Sequence, residues 1–257
     1  MIVRHALVRP PCDSFAEGLT TAGLGPPDLA LARAQHQAYC EALLKCGVAL
    51  TWLPADPRFP DSTFVEDTAV LTPRGAVLTR PGAASRSGEV ESIRPALEPF
   101  YQVLREIESP GTLDGGDVCE AGDHVFIGIS ERTNEAGARQ LASYLAKEGY
   151  TTATVDIRGM PGILHLKSAL AALDDWRLAV VPGLLSHPAF RSHRIVAVTP
   201  EESYAANCVN VNDRILVASG YPEFEGALRR LDYDLAPLDM SEFRKMDGGL
   251  SCLSLRF

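Results

Sequence analysis

Glu66-Asp67-Thr68-Ala69-Val70-Leu71-Thr72-Pro73-Arg74-Gly75-Ala76-Val77-Leu78-Thr79 contains a polar hinge, a short apolar strand, a turn and a second apolar strand. The theme returns at Gly116-Asp117, Lys167-Ser168, Asn207-Cys208 and Gly249-Leu250. Counted from Asp67 through Asp117, Ser168 and Cys208 to Leu250, the separations are 50, 51, 40 and 42 residues. Self-similarity at periods of roughly 20–50 residues marks radial or solenoid arrays. Five such units, with the N-terminal strand Ile2 to Val8 completing the last, make a closed five-bladed arrangement. A mixed α/β sheet with coincidental spacing fits the same periodicity, so spacing alone leaves both architectures open.

The elements around the hinges support an α/β chain. Short apolar runs read as strands at Ala69–Leu71, Ala76–Thr79, His124–Gly128, Arg177–Val181 and Arg214–Ala218. Apolar residues three and four apart predict helices over Leu29–Leu44, Ile93–Leu104, Asn134–Leu145 and Glu223–Leu231. Asn134-Glu135 and Pro222-Glu223 serve as helix starts, Gly47 and Gly149 as stops. No low-complexity segment or long linker interrupts the 257 residues, and one domain over residues 1–257 is the expectation.

Bulk properties exclude several classes. Hydrophobic residues make up 46% and charged residues 22%, ordinary for a globular enzyme. A formal net charge of -9 without a lysine-rich run argues against nucleic acid as a partner. No segment reaches the length of a membrane span, and the stretch after Met1 is too short for a signal-peptide core. Cys12, Cys40, Cys46, Cys119, Cys208 and Cys252 form no CxxC pair, which fits reduced thiols in a cytoplasm. Phosphate-loop, dinucleotide-binding, HExxH and GxSxG motifs are absent, and no Cys/His set has zinc spacing; neither cofactor nor metal is expected.

The chemistry concentrates in a few places. Cys252 closes Lys245-Met246-Asp247-Gly248-Gly249-Leu250-Ser251-Cys252, His165 lies in Leu164-His165-Leu166-Lys167-Ser168, and acids sit in Leu113-Asp114-Gly115-Gly116-Asp117. Thiol, imidazole and carboxylate are the minimum parts of a base-assisted cysteine nucleophile. Each piece alone is ordinary, since a lone Cys packs as a small hydrophobe. Glu66 and Asp67, placed at the end of a strand through Phe64-Val65, add paired acids suited to a cation. A guanidinium offers a planar fork of donors that carboxylates match. Arg86 and Arg132, ordinary surface cations in isolation, would together hold a carboxylate. A ligand with a guanidinium at one end and a carboxylate at the other is an arginine.

PDSTFVEDTAV, TRPGAASR, LDGGDV, SERTNEAGARQL, LHLKSALAAL, SYAANC and KMDGGLSC, in this order along the chain, resemble the bacterial dimethylarginine dimethylaminohydrolases of the guanidino-group-modifying superfamily. The resemblance implies a five-bladed, pseudo-symmetric α/β propeller of ββαβ-type repeats around a central site. It implies hydrolysis of Nω-methylated arginines to citrulline through a covalent Cys252 intermediate, with His165 as acid/base and Asp114 as its orienting acid. By the same match Glu66, Asp67 and Asp247 would serve the guanidine end, and Arg86 and Arg132 the α-carboxylate. Asp61 and the Leu19 carbonyl would take the α-amino group, and the Met246 carbonyl would line the site. Some relatives carry Glu where this chain has Asp114; the shorter side chain requires a closer His165 backbone or a bridging water. The implied partner is a small-molecule substrate, with a homodimer a possible assembly.

Two other readings compete. An arginine deiminase shares the Cys/His/acid set but usually carries a helical insert, for which this chain has no segment to spare; an amidinotransferase is disfavoured for the same reason. A non-catalytic five-bladed binding protein, like the ribosome anti-association factor of this architecture, would not need Cys252 and His165 together.

Overall fold

A computed structural model describes residues 2–257. Among them the strands form five three-stranded sheets. Strand β1 (His5–Val8) runs parallel to β2 (Ala49–Trp52) and antiparallel to β15 (Ser254–Arg256), so the two ends of the chain share a blade. The next blades are β3 (Ala69–Thr72), β4 (Gly75–Leu78) and β5 (Leu104–Glu106), then β6 (Val118–Ala121), β7 (His124–Ile129) and β8 (Thr151–Asp156). Strands β9 (Leu170–Ala172), β10 (Arg177–Val180) and β11 (Arg194–Ala197) follow, and β12 (Val209–Val211), β13 (Arg214–Ala218) and β14 (Asp234–Leu238) complete the set. In every sheet the middle strand is antiparallel to one neighbour and parallel to the other. This is the five-fold pseudo-symmetric ββαβ propeller, and it rules out the open mixed sheet that periodicity had left in play.

Each parallel pair needs a crossover. Helices α1 (Leu29–Lys45), α2 (Ile93–Leu97), α3 (Glu135–Lys147) and α4 (Pro222–Arg229) supply four of them, while a short α5 (Ser241–Arg244) precedes the last blade. The β10–β11 crossover uses 3₁₀ turns at Pro182–Leu184 and Pro188–Phe190 instead, each opened by its proline. Helix α1 starts where the Asp28 carboxylate accepts the Leu31 N–H at 3.0 Å, and α3 where Asn134 accepts that of Gly137 at 2.8 Å. Both stop before a glycine at positive φ, Gly47 and Gly149, as their sequence predicts.

Three expectations are corrected. The helix expected over Ile93–Leu104 ends at Leu97, and Leu104 opens β5. Pro99 lacks the N–H a continuing helix requires and crowds the preceding turn. Phe64-Val65 is not a strand, because Val65–Thr68 winds into a 3₁₀ turn. The first strand begins at His5 rather than Ile2.

That 3₁₀ turn has counterparts at Gly115–Asp117, Leu166–Ser168, Pro200–Ala206 and Ser251–Leu253, each just before the first strand of its sheet. They meet at the centre and are tied in a circle. Asp67 Oδ1 accepts the Gly116 N–H, Asp117 Oδ1 that of Leu166, and Asn207 Oδ1 that of Ser251, all at 2.9 Å. Asn207 Nδ2 donates to the Lys167 carbonyl at 3.0 Å, and Ser251 Oγ to Glu66 Oε2 at 2.7 Å, closing the ring. Asp67, Asp117 and Asn207 are buried, so each bond fills a need that water cannot. Asp117→Ala, which strands the Leu166 N–H and the Ser130 hydroxyl, should cost about 1–3 kcal/mol per orphaned group; urea denaturation measures it, and an unchanged midpoint would contradict the role of the ring.

Candidate active site

Cys252 sits in the Ser251–Leu253 turn, and His165 caps the Leu166–Ser168 turn. Both face one cleft, with Asp67 and Leu164 beside them. His165 is buried; its Nε2 hydrogen-bonds Asp114 Oδ2 at 3.0 Å, and its Nδ1 lies 4.0 Å from Asp67 Oδ1. Asp114, completely buried, accepts the Gly82 N–H through its other oxygen at 2.8 Å. The shorter aspartate therefore reaches the imidazole directly, without a bridging water. Gly116 makes this approach possible: a Cβ there would lie 2.8 Å from both His165 Nδ1 and Asp67 Oδ1.

The charges follow from this packing. Burial disfavours the His165 imidazolium, but Asp67, the Asp114 hydrogen bond and Asp117 outweigh it and raise its pKa to about 9. Burial likewise opposes ionisation of Asp67, yet His165 and Arg86 pull it down to about 2. The Cys252 thiol is pushed up to about 12 by burial and then by the Glu66 and Asp67 charges. These shifts favour a neutral thiol beside an imidazolium at neutral pH.

The cleft gathers most of the remaining residues singled out by sequence. Asp61, Asp67, Arg86 and Arg132 line it, as do Leu19, Met246 and Asp247. Asp61 accepts the Leu19 N–H through both oxygens at 3.1 Å, and burial raises its pKa. Asp247, at φ 55°, accepts the Thr21 N–H at 2.5 Å and its hydroxyl at 3.0 Å. The segment after Gly18 thereby drapes across the cleft.

Two assignments change. Glu66 does not line the cleft: neighbouring residues of the turn point to opposite sides, and its carboxylate faces away, bound to Lys167 at 2.7 Å and Arg256 at 3.1 Å. Arg86 reaches the cleft, but its charge is already balanced. Its Nε and Nη2 bind Glu89 at 2.9 and 2.8 Å, and its Nη1 binds Asp67 at 2.5 Å. Arg132 is the cleft guanidinium that forms no ion pair among the described residues. Sequence reading missed Glu89, whose signal is its place three residues after Arg86, and Asn207 and Ser251, whose signal is their place in the hinges.

Asp67, Asp114 and His165 bring one ligand atom each within 4.8 Å of one another. A protonated imidazole has no lone pair to give a metal, and the raised His165 pKa favours that form. The arrangement is that of a charge-held acid/base group, and no metal or cofactor is assigned to it.

A closed five-bladed α/β fold with Cys, His and carboxylates at its centre defines a guanidine-modifying protein. A family model described as arginine deiminase matches residues 56–215. The chain is 46% identical to the N(G),N(G)-dimethylarginine dimethylaminohydrolase of Pseudomonas aeruginosa over 99% of both chains. It is 38% identical to the Streptomyces coelicolor protein of the same name, over 98% of this chain and 96% of that one. A crystal structure of the Pseudomonas aeruginosa enzyme, a Cys-to-Ser mutant complexed with citrulline, superposes with a TM-score of 0.97 at 45% identity and full coverage of both chains. The chain belongs to the dimethylarginine dimethylaminohydrolase family.

Gly116→Ala should drive His165 and Asp67 apart. A displacement of this kind costs about 10²-fold in rate, so kcat should fall by that order, and citrulline formation at saturating substrate reads it.

Proposed function

We propose that the chain hydrolyses asymmetric dimethylarginine and monomethylarginine to citrulline and dimethylamine or methylamine, as its family does. The observation that carries the reading is the polarity of the cleft. Cys252, His165 and Asp67 stand together, while the unpaired Arg132 shares the same cleft with them. In this reading Asp67 and Asp247 receive the guanidinium, Arg132 takes the α-carboxylate, and Asp61 with the Leu19 carbonyl takes the α-amino group. Arg86 assists through the Nη1 hydrogen that Asp67 leaves free, and the Met246 carbonyl lines the guanidine side. Leu164 and Phe64 supply apolar wall near the nucleophile, room suited to N-methyl groups.

The bound guanidinium lowers the cost of a thiolate beside it, and Cys252 sheds its proton to solvent, His165 being already charged. The thiolate attacks the guanidinium carbon, and the C–N bond to the methylated nitrogen breaks as His165 gives that nitrogen its proton. A thiouronium remains on Cys252. Neutral His165, held by Asp114, takes a proton from water; the hydroxide adds to the carbon, and the C–S bond breaks to release citrulline. Asp67 stays ionised throughout and stabilises the charge on His165 and on the substrate.

Residues 1–257 act as one catalytic domain, a reading supported by the pairing of β1 with β15. A cytoplasmic site of action is supported by six free cysteines; among the described residues no helix is long and apolar enough to cross a membrane. The cleft is built from one chain, so a homodimer is compatible with every role above.

Incubation with asymmetric dimethylarginine and with arginine, quantifying citrulline from each, tests the reading. Methylated substrate should give the higher kcat/KM, and a higher value for arginine would make the protein a deiminase. Cys252→Ser should abolish turnover and leave the fold intact; near-normal citrulline from this variant would remove Cys252 from the mechanism. Arg132→Ala should raise KM for methylarginine by the worth of a charge-assisted bond, about 1.5–3 kcal/mol. It should act far less on a methylated agmatine, which lacks the carboxylate, and equal losses on the two would displace Arg132 from that role.

A further inference from the structure

The inner turns form the floor of the cleft, and their residues face both sides of it. Asp67, His165 and Cys252 line the cleft, whereas Glu66, Lys167 and Ser251 line a cavity of about 1260 Å³ on the other side of the ring of turns. Lys167 Nζ donates to Glu66 Oε1 at 2.7 Å and to the Gly115 carbonyl at 3.3 Å. Its own carbonyl accepts from Asn207, which in turn holds both the N–H and the hydroxyl of Ser251. Ser251 is the residue before the nucleophile, and its hydroxyl donates to the carboxylate that Lys167 pairs. One lysine thus joins the turns of four blades immediately behind Cys252.

We propose that Lys167 is a positioning residue for the nucleophile: through Glu66 and Ser251 it holds the Cys252 turn from behind the cleft and offsets the carboxylate that faces the thiol from that side. This rests on the reading of Cys252 as the nucleophile.

The groups around the thiol make the effect specific. From the cleft it faces Asp61, Asp67 and Asp247 together with Arg86, Arg132 and His165. Tyr204 packs against the same core cluster as Cys252, and Glu66 lies behind, bonded to the adjacent Ser251, with Lys167 and Arg256 sharing one oxygen of its carboxylate. The front charges surround the substrate and change with its binding. The rear group is sealed from the cleft and is set only by its own partners. Removing Lys167 leaves Glu66 with one cation, so its negative charge bears more strongly on the thiol and disfavours the thiolate. Removing the charge of Glu66 does the opposite.

The test reads the thiol without turnover: the rate at which iodoacetamide alkylates Cys252 at pH 8, followed on the Cys252 peptide by mass spectrometry. Well below a thiol's pKa this rate tracks the thiolate fraction, so one unit of pKa is about a tenfold change. Lys167→Met should slow alkylation by about that factor and lower kcat for dimethylarginine with KM nearly unchanged, and Lys167→Arg should restore both. Glu66→Gln, nearly isosteric, should speed alkylation. A purely structural lysine would alter melting but would not give opposed shifts. Alkylation moving the same way in Lys167→Met and Glu66→Gln would overturn the proposal. If Lys167→Met fails to fold, an unchanged rate in folded Glu66→Gln overturns it alone. Failure of the nucleophile reading shows separately, as turnover by Cys252→Ser.

Discussion

The closed circle of hydrogen bonds among the five inner turns is the constraint on which the rest of the molecule depends. Short three-stranded blades have little core of their own and must pack side by side. Where their inner turns meet, backbone donors and acceptors are left buried. Asp67, Asp117 and Asn207 pair these groups across blade boundaries, and the Ser251 hydroxyl closes the circle on the Glu66 carboxylate. The bonds join turns far apart in sequence, so the ring is complete only when the last turn, which carries Cys252, meets the first, which carries Asp67. Closing the fold and assembling the site are one event.

The same circle explains why a charged site can exist at the centre of the molecule. Burying unpaired charges costs several kcal/mol each, yet Asp67, Asp114, Arg86 and His165 are all buried. They alternate in sign: Glu89 holds Arg86, Arg86 holds Asp67, and Asp67 faces His165, which Asp114 holds from behind. Each is satisfied by the next, which keeps His165 protonated and Asp67 ionised at neutral pH. The thiol is buried and faces the negative members, which together oppose its ionisation. In the proposed mechanism a guanidinium is the species that activates the thiol.

How much of this was legible in the sequence depended on how each residue earns its place. The middle strands β7, β10 and β13 are buried along most of their length and read as apolar runs, whereas the outer β2, β11 and β14 alternate weakly between exposed and half-buried. Hydrophobicity found the first group and not the second. Asn134, Gly47 and Gly149 announced helix ends because capping is local, and Pro99 cut α2 short for an equally local reason. The chemistry-bearing residues were readable as types. Which side of a turn each faces was not, and so Glu66 was expected in the cleft. Nor could residue type show that Arg86 is already paired, since its partner Glu89 acts through burial and geometry. Asn207 and Ser251 bear no reactive group, and only the closed ring gives them a role.

The difference between the two cleft arginines carries the last step. A methylated arginine has two cationic groups and one anionic group, a single net positive charge. Were both arginines unpaired, a ligand with one carboxylate would leave a second guanidinium unmatched. In the proposed reading Glu89 offsets Arg86; Arg132, which forms no ion pair among the described residues, meets the one carboxylate; and Asp61, Asp67 and Asp247 meet the two cationic groups. On that reading Glu89 serves recognition without lining the cleft: its two bonds to Arg86 fix the orientation of that fork and offset its charge. Charge complementarity of this kind discriminates through what it leaves unpaired. On the same reading a ligand lacking the carboxylate strands Arg132, and one lacking the guanidinium leaves the acids without a partner and the thiol without the cation that ionises it.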